Sequence, residues 1–169
     1  LDLYKKSQEL SEASPYNFVE GSGDIGIITS GVSYTYVKEF VSDVSILKIG
    51  FTNPLPEKMI ADFIKGKRFV IVVEELEPFV EDQVLRICAQ NSLNVPVYGK
   101  RSGHLPRQWE FSPDTMNGIR DLVKVQEFKE PLPAKVDVKL PSRPPTLCAG
   151  CPHRGTFAAA KKAAGKTDV

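Results

Sequence analysis

Between Ile25 and Lys100 the chain alternates two hydrophobic periods. Compact apolar runs, "IGIITS", "VSILKIG", "RFVIVVEE" and "VPVYGK", are separated by stretches whose apolar residues fall three and four positions apart. The runs are near-continuous and not alternating, which is the signature of strands covered on both faces by crossover helices. The intervening segments read as helices: "VSYTYVKEFV", then "PLPEKMIADFIKG" with Met59, Ile60, Phe63 and Ile64 on one face. A third, "FVEDQVLRICAQN", turns Val80, Val84, Leu85, Ile87 and Cys88 inward. A last helix is expected over "SPDTMNGIRDLVKVQ", with Ser112 as N-cap and Pro113 in the first helical position. The pattern predicts an α/β fold, an open parallel sheet with helices on both faces, over residues 22–125.

The flanks differ. "LYKKSQELSEA" reads as a polar connector helix closed by Ser14 and Pro15, so residues 1–21 form a connector and lead-in. Gly21, Gly23 and Gly26 satisfy the dinucleotide pattern G-x-G-x-x-G, but the first two precede the strand they should follow, and dinucleotide binding is set aside. Five of the thirteen prolines fall within residues 131–145, so 126–146 reads as an interdomain linker. Residues 147–169 open a new segment.

Composition narrows the class. With 169 residues, 41% of them hydrophobic and 25% charged, the chain is long enough for one complete domain and part of another. A formal charge of +1 supplies no basic field for nucleic acid. No apolar run is long enough to span a membrane, and the start lacks a signal-peptide core. The three cysteines, Cys88, Cys148 and Cys151, make a poor disulfide framework. A reducing, cytoplasmic setting is expected.

In such sheets ligands meet the loops at the carboxyl ends of the strands. Those loops carry Thr29, Ser30 and Gly31, the stretch Gly50 to Pro56, Glu74 and Glu75, and the long loop Gly99 to Phe111 with His104 and Trp109. Glu74 and Glu75 are adjacent carboxylates on opposite strand faces, so a loop-anchoring or interface role is favoured over acid/base catalysis. Gly31 reads as a tight-turn glycine. His104 and Trp109 read as interface, and Cys88 as core.

The carboxyl-terminal stretch "RPPTLCAGCPHRGTFAAAKKAAG" carries the remaining chemistry. Cys148 and Cys151 have the spacing of half a metal or iron-sulfur site, which needs four ligands. A thioredoxin-type pair would follow a strand and not prolines. A helix starting near Arg154, with His153, Arg154 and Gly155 beside unpaired backbone N–H groups, suits a diphosphate. A capped helix with buried thiols is the structural alternative.

"GIITSGVSYTYVKE", "LKIGFTNPLPEKMI", "VVEELEPFVEDQV", "HLPRQWEFSPD" and "RPPTLCAGCPHRGTF", in this order across nearly the whole chain, resemble the alpha subunit of the indolepyruvate ferredoxin oxidoreductases, in the thiamine-diphosphate-dependent 2-oxoacid:ferredoxin oxidoreductase superfamily. The resemblance implies that residues 22–125 are a transketolase-carboxyl-terminal-like domain and that 147–169 begin a thiamine-diphosphate-binding α/β domain. It further implies oxidative decarboxylation of arylpyruvates such as indolepyruvate with coenzyme A, reduction of ferredoxin, and a smaller beta subunit as partner. The cofactors implied for the full-length enzyme are thiamine diphosphate, magnesium and [4Fe-4S] clusters. His153, Arg154 and Gly155 match the family's "CPHRG" as cofactor-binding residues, and Cys148 and Cys151 match cluster cysteines of related enzymes. The motif departs from those relatives in Ala149 and Pro152. The magnesium-binding segment and further cysteines are expected after Val169 and the activating glutamate before Leu1. Residues 1–169 alone are therefore expected to be a scaffold, inactive and without bound cofactor. The competing reading is a stand-alone α/β ligand-binding or interaction module.

Overall fold

The computed structural model describes residues 2–126 and 146–165; most of the stretch read as a linker lies outside them. The chain divides into two compact units, Leu1–Glu130 and Pro131–Val169.

The first unit is a five-stranded sheet in the order β1-β3-β2-β4-β5. Its strands are β1 (Phe18–Gly21), β2 (Ile25–Ser30), β3 (Ser45–Ile49), β4 (Phe69–Val73) and β5 (Val97–Tyr98). Four run parallel, as the sequence predicts. The fifth, β1, lies in the stretch read as lead-in and pairs antiparallel with β3, Phe18 opposite Lys48 and Gly21 opposite Ser45, so the sheet as a whole is mixed. The strand is short and half exposed, with little apolar signal, and the turn that reverses it uses Gly21 and Gly23 at positive φ. These are the glycines of the misleading dinucleotide pattern.

The helices are α1 (Asp2–Glu12), α2 (Ser33–Phe40), α3 (Glu57–Ile64) and α4 (Phe79–Gln90), followed by a 3-10 helix, Pro113–Ile119. Both sheet faces are covered. Ile28, Leu47, Ile49, Val70 and Val72 face a layer built from α3 and α4, with Ile60, Phe63, Ile64, Val84 and Ile87. Ile27, Ile46, Ile71 and Val73 face α2 and the 3-10 helix, with Val37, Phe40, Met116 and Ile119. Each fully buried aliphatic side chain contributes about 1.5–3 kcal/mol of transfer free energy, and the alternation of neighbours such as Ile27 and Ile28 is what feeds two cores from one strand.

Three local readings are corrected. Leu85, expected inward on α4, is 40% exposed. The run "VPVYGK" pairs only through Val97 and Tyr98, since Pro96 has no N–H and offers only its carbonyl, to Val70 N at 2.9 Å. The helix after Ser112 is 3-10 and ends at Ile119. Asn117 and Gly118 are poor α-formers, and a Cβ at Gly118 would lie 2.0 Å from the His104 carbonyl oxygen, so the backbone there is pressed against the long loop.

The stretch read as connector and lead-in packs into the same unit. Gln8 and Ser11 donate to the carbonyls of Leu55 and Pro54, and the Glu12 carboxylate accepts from Lys58 N and Met59 N at 2.7 and 3.0 Å. Buried Asn17 donates to Ser11 O and accepts from Gly50 N and Phe51 N, tying the lead-in to the end of β3.

In the second unit α5 (His153–Ala164) follows the Cys-x-x-Cys turn. No helix among the described residues is long and apolar enough to cross a membrane.

Candidate functional site

The topology itself marks a place. From β2 the chain passes to α2 on one face of the sheet, while from its neighbour β4 it passes to α4 on the other. The loops part above the carboxyl ends of these two strands, which is where open α/β sheets form crevices. A hollow of about 280 Å³ lies there, lined by Ser30, Gly31, Val32, Thr52, Glu75 and Phe79, with Glu74 at its base. Gly31 has φ +56°, and no atom lies within 4 Å of the place a side chain would take, so the turn and not crowding requires it.

The carboxylates at this crevice hold the structure together. Glu74, 6% exposed, accepts from Val80 N and Glu81 N at 2.8 Å each, capping α4, whose own N-cap, Pro78, offers no side-chain acceptor. Burial raises its carboxyl above the usual carboxylate value, against the lowering effect of those two bonds. Glu81 is 1% exposed and accepts from Lys100 N and Arg101 N, holding the start of the long loop. A Cβ at Gly99 would come within 2.8 Å of the Glu81 carboxylate, so this approach needs glycine. Glu75 accepts from Phe111 N at 2.9 Å and holds the far end of that loop. Lys100, buried between them, donates to Pro106 O and lies 4.7 Å from the Phe111 ring centre; burial lowers its amine below the ordinary lysine value.

Of the strand-end residues singled out in the sequence, this network engages Glu74, Glu75 and the two ends of the long loop, while Ser30, Gly31 and Thr52 line the hollow without joining it. Glu75 anchors a loop and Glu74 caps α4, a division that fits the opposite facing of the pair. His104 is engaged within the loop, its Nδ1 2.8 Å from Ser102 Oγ and its ring stacked edgewise on Tyr98. Cys88 is buried in the α4 core, where burial raises its thiol pKa. Trp109 projects from the loop, 82% exposed at φ +69°. Sequence reasoning missed Glu12, Asn17, Glu81 and Lys100, because their roles include contacts over 19 to 47 positions. The one available signal was a pair of helices starting on proline with no Ser, Thr, Asp or Asn to cap them.

In the second unit, Cys151 Sγ lies 3.2 Å from His153 Nδ1. The Arg154 guanidinium donates to the carbonyls of Leu147 and Cys148, closing the turn. Arg154 N and Gly155 N, expected to be unpaired, donate to the carbonyls of Cys151 and Pro152. The helix amino end and the His153 ring suit an anion, but Arg154 and two N–H groups are committed to the turn, so these residues by themselves fit a diphosphate only in part. Cys148 and Cys151 provide two thiols where a cluster takes four, and among the described residues no group of three or more His, Cys, Asp and Glu is placed to hold a metal.

No protein-family model matches the chain. Curated proteins do. The chain is 35% identical over 177 aligned positions to "Indolepyruvate oxidoreductase subunit IorA" of Methanothermobacter marburgensis, covering 100% of the chain and 28% of the relative. It is 38% identical to the IorA subunits of Thermococcus kodakarensis and Pyrococcus horikoshii, covering 98% and 97% of the chain and 27% of each relative. The chain belongs to the IorA family. It spans about 28% of the length of the curated IorA relatives it matches. Both units of this IorA-family chain, the α/β unit with its crevice and the Cys-x-x-Cys turn with α5, fall within the matched span, which covers the whole chain in the Methanothermobacter marburgensis comparison.

Proposed function

We propose that this chain serves as part of the alpha subunit of an indolepyruvate ferredoxin oxidoreductase, which oxidatively decarboxylates arylpyruvates with coenzyme A and reduces ferredoxin. The observation that carries the reading is the match to IorA subunits at 31–38% identity along the full chain. Residues 22–125 act as a transketolase-carboxyl-terminal-like scaffold and as part of a domain and subunit interface. The fold supports this role: the crevice holds carboxylates already committed to capping α4 and anchoring the long loop, and such groups make a rigid frame and not an acid/base pair.

Residues 147–169 enter a thiamine-diphosphate-binding region that also needs magnesium. Thiamine diphosphate, when bound, supplies the carbanion-stabilising chemistry of 2-oxoacid decarboxylation. This chain contributes His153 and the amino end of α5 near the diphosphate, with Gly155 leaving open space beside it. Arg154 positions the turn through the carbonyls it binds. Cys148 and Cys151 are candidate ligands of a [4Fe-4S] cluster completed by residues elsewhere. The smaller beta subunit, ferredoxin and a cytoplasmic setting complete the reading.

The test uses the complete subunit with its smaller partner, prepared without oxygen and supplied with thiamine diphosphate, magnesium and coenzyme A. Indolepyruvate should drive reduction of a viologen dye or ferredoxin, and the rate should depend on thiamine diphosphate. A folded, cofactor-loaded enzyme that turns over no arylpyruvate overturns the proposal.

A further inference from the structure

Large apolar side chains collect at the strand-end face. Val32 is 50% exposed, Leu76 59%, Phe79 55% and Trp109 82%. They border two hollows that share Glu75: the crevice of about 280 Å³, and a second of about 630 Å³ between Leu76, Trp109 and Glu110. Contiguous exposed apolar surface of this kind marks a contact site, and tryptophan is among the residues that most often carry the energy of one. The backbone confirms that the display is built in. Leu76 and Trp109 hold φ of +57° and +69°, a region costly for side chains of their size, and both turn outward from it.

The charge around the patch says what covers it. Arg107 neutralises Glu77 and the buried Lys100 amine offsets part of the charge of Glu74 and Glu75, while Glu110 forms no salt bridge among the described residues. The face is thus apolar with a net negative rim. A small anion is repelled by it. A second copy docking through the same face in a two-fold contact would set Glu75 and Glu110 of one chain near those of the other, an unfavourable like-charge pairing. A polypeptide segment with apolar side chains flanked by Lys or Arg complements both features.

We infer that the Val32, Leu76, Phe79 and Trp109 face is the docking surface for such a basic, apolar segment of the same subunit lying outside residues 1–169. This rests on the reading that the chain is part of an IorA-type subunit. In the curated relatives most of the polypeptide lies outside the matched span, and a covalently tethered partner has an effective concentration in the millimolar range.

The experiment places a photo-reactive benzoylphenylalanine at position 109 of the complete subunit assembled with its partner, irradiates it, and maps the adducts by mass spectrometry. An adduct to a Lys- or Arg-containing apolar segment of the same subunit outside 1–169 is expected. Adding Glu110→Lys should cut its yield roughly fivefold, the effect of replacing attraction by repulsion at a partly exposed site. Solvent adducts only, adducts to a second copy, or adducts to the smaller subunit each overturn the inference. Dye reduction is followed on the same preparation. Arylpyruvate turnover with position 109 bare sinks the docking surface alone, and a same-subunit adduct without such turnover sinks the proposed reaction alone.

Discussion

Replacing Glu74 by alanine removes the acceptor for two backbone donors, Val80 N and Glu81 N, each at 2.8 Å in a buried setting. A hydrogen bond to a charged group contributes about 1.5–3 kcal/mol, and losing a helix cap costs about 1–2 kcal/mol. The raised carboxyl pKa shows that burial already penalises the charge and offsets part of this. The net loss should be about 2–4 kcal/mol. For a unit of this size that lowers Tm by about 10 °C. Glu74→Gln keeps one carbonyl acceptor and should cost about half as much. Urea and thermal unfolding followed by circular dichroism measure both variants. The pH dependence has a definite sign. With the folded pKa above the unfolded one, the native state binds the extra proton in the window between them, so the proton-linked part of the Glu74 contribution is full below the usual carboxylate value. That part is lost as pH rises through the raised value, while the two capping bonds remain. The advantage of wild type over Glu74→Gln should therefore shrink with rising pH across that window. An alanine variant within 0.5 kcal/mol of wild type, roughly the scatter of neutral surface changes, refutes the assignment of Glu74 as the α4 cap, and a difference growing with pH refutes the raised carboxyl pKa.

Asn17→Ala leaves Gly50 N and Phe51 N without their acceptor and frees Ser11 O; it should cost about 2–3 kcal/mol and speed proteolysis near residue 14, whereas unchanged proteolysis would show that the lead-in is held by other contacts. Gly118→Ala must move the His104 carbonyl, 2.0 Å from the new Cβ, and should lose about 3 kcal/mol or more in the same unfolding assay, with a loss under 1 kcal/mol counting against the close approach. In the complete subunit His153→Ala should weaken thiamine diphosphate binding by calorimetry, and unchanged affinity would reduce His153 to a partner of the Cys151 thiol.

Much of the first unit was legible because its signals are local. Ile27 and Ile28, Val70 to Val73, and the Ile60–Ile64 spacing announce strands and a helix that need cover on both faces, and the structure provides it. The family, too, was readable from ordered motifs along the chain. The start of α5 was legible in position, but the commitment of Arg154 to the Leu147 and Cys148 carbonyls was not, since a guanidinium beside a helix terminus reads equally well as a ligand for an anion.

Tertiary structure alone decided the rest. A four-residue strand with polar and half-exposed positions carries no periodicity, so β1 exists because β3 offers it an edge. The helices α3 and α4 begin on Pro56 and Pro78, with no capping residue in the local sequence; their donors are met by Glu12 and Glu74, one from a different helix and the other from the end of a strand. Periodicity determines which faces are buried, because burial is read residue by residue along the chain. Which carboxylate meets which N–H depends on where distant segments come to lie, and that information appears only once both cores have closed.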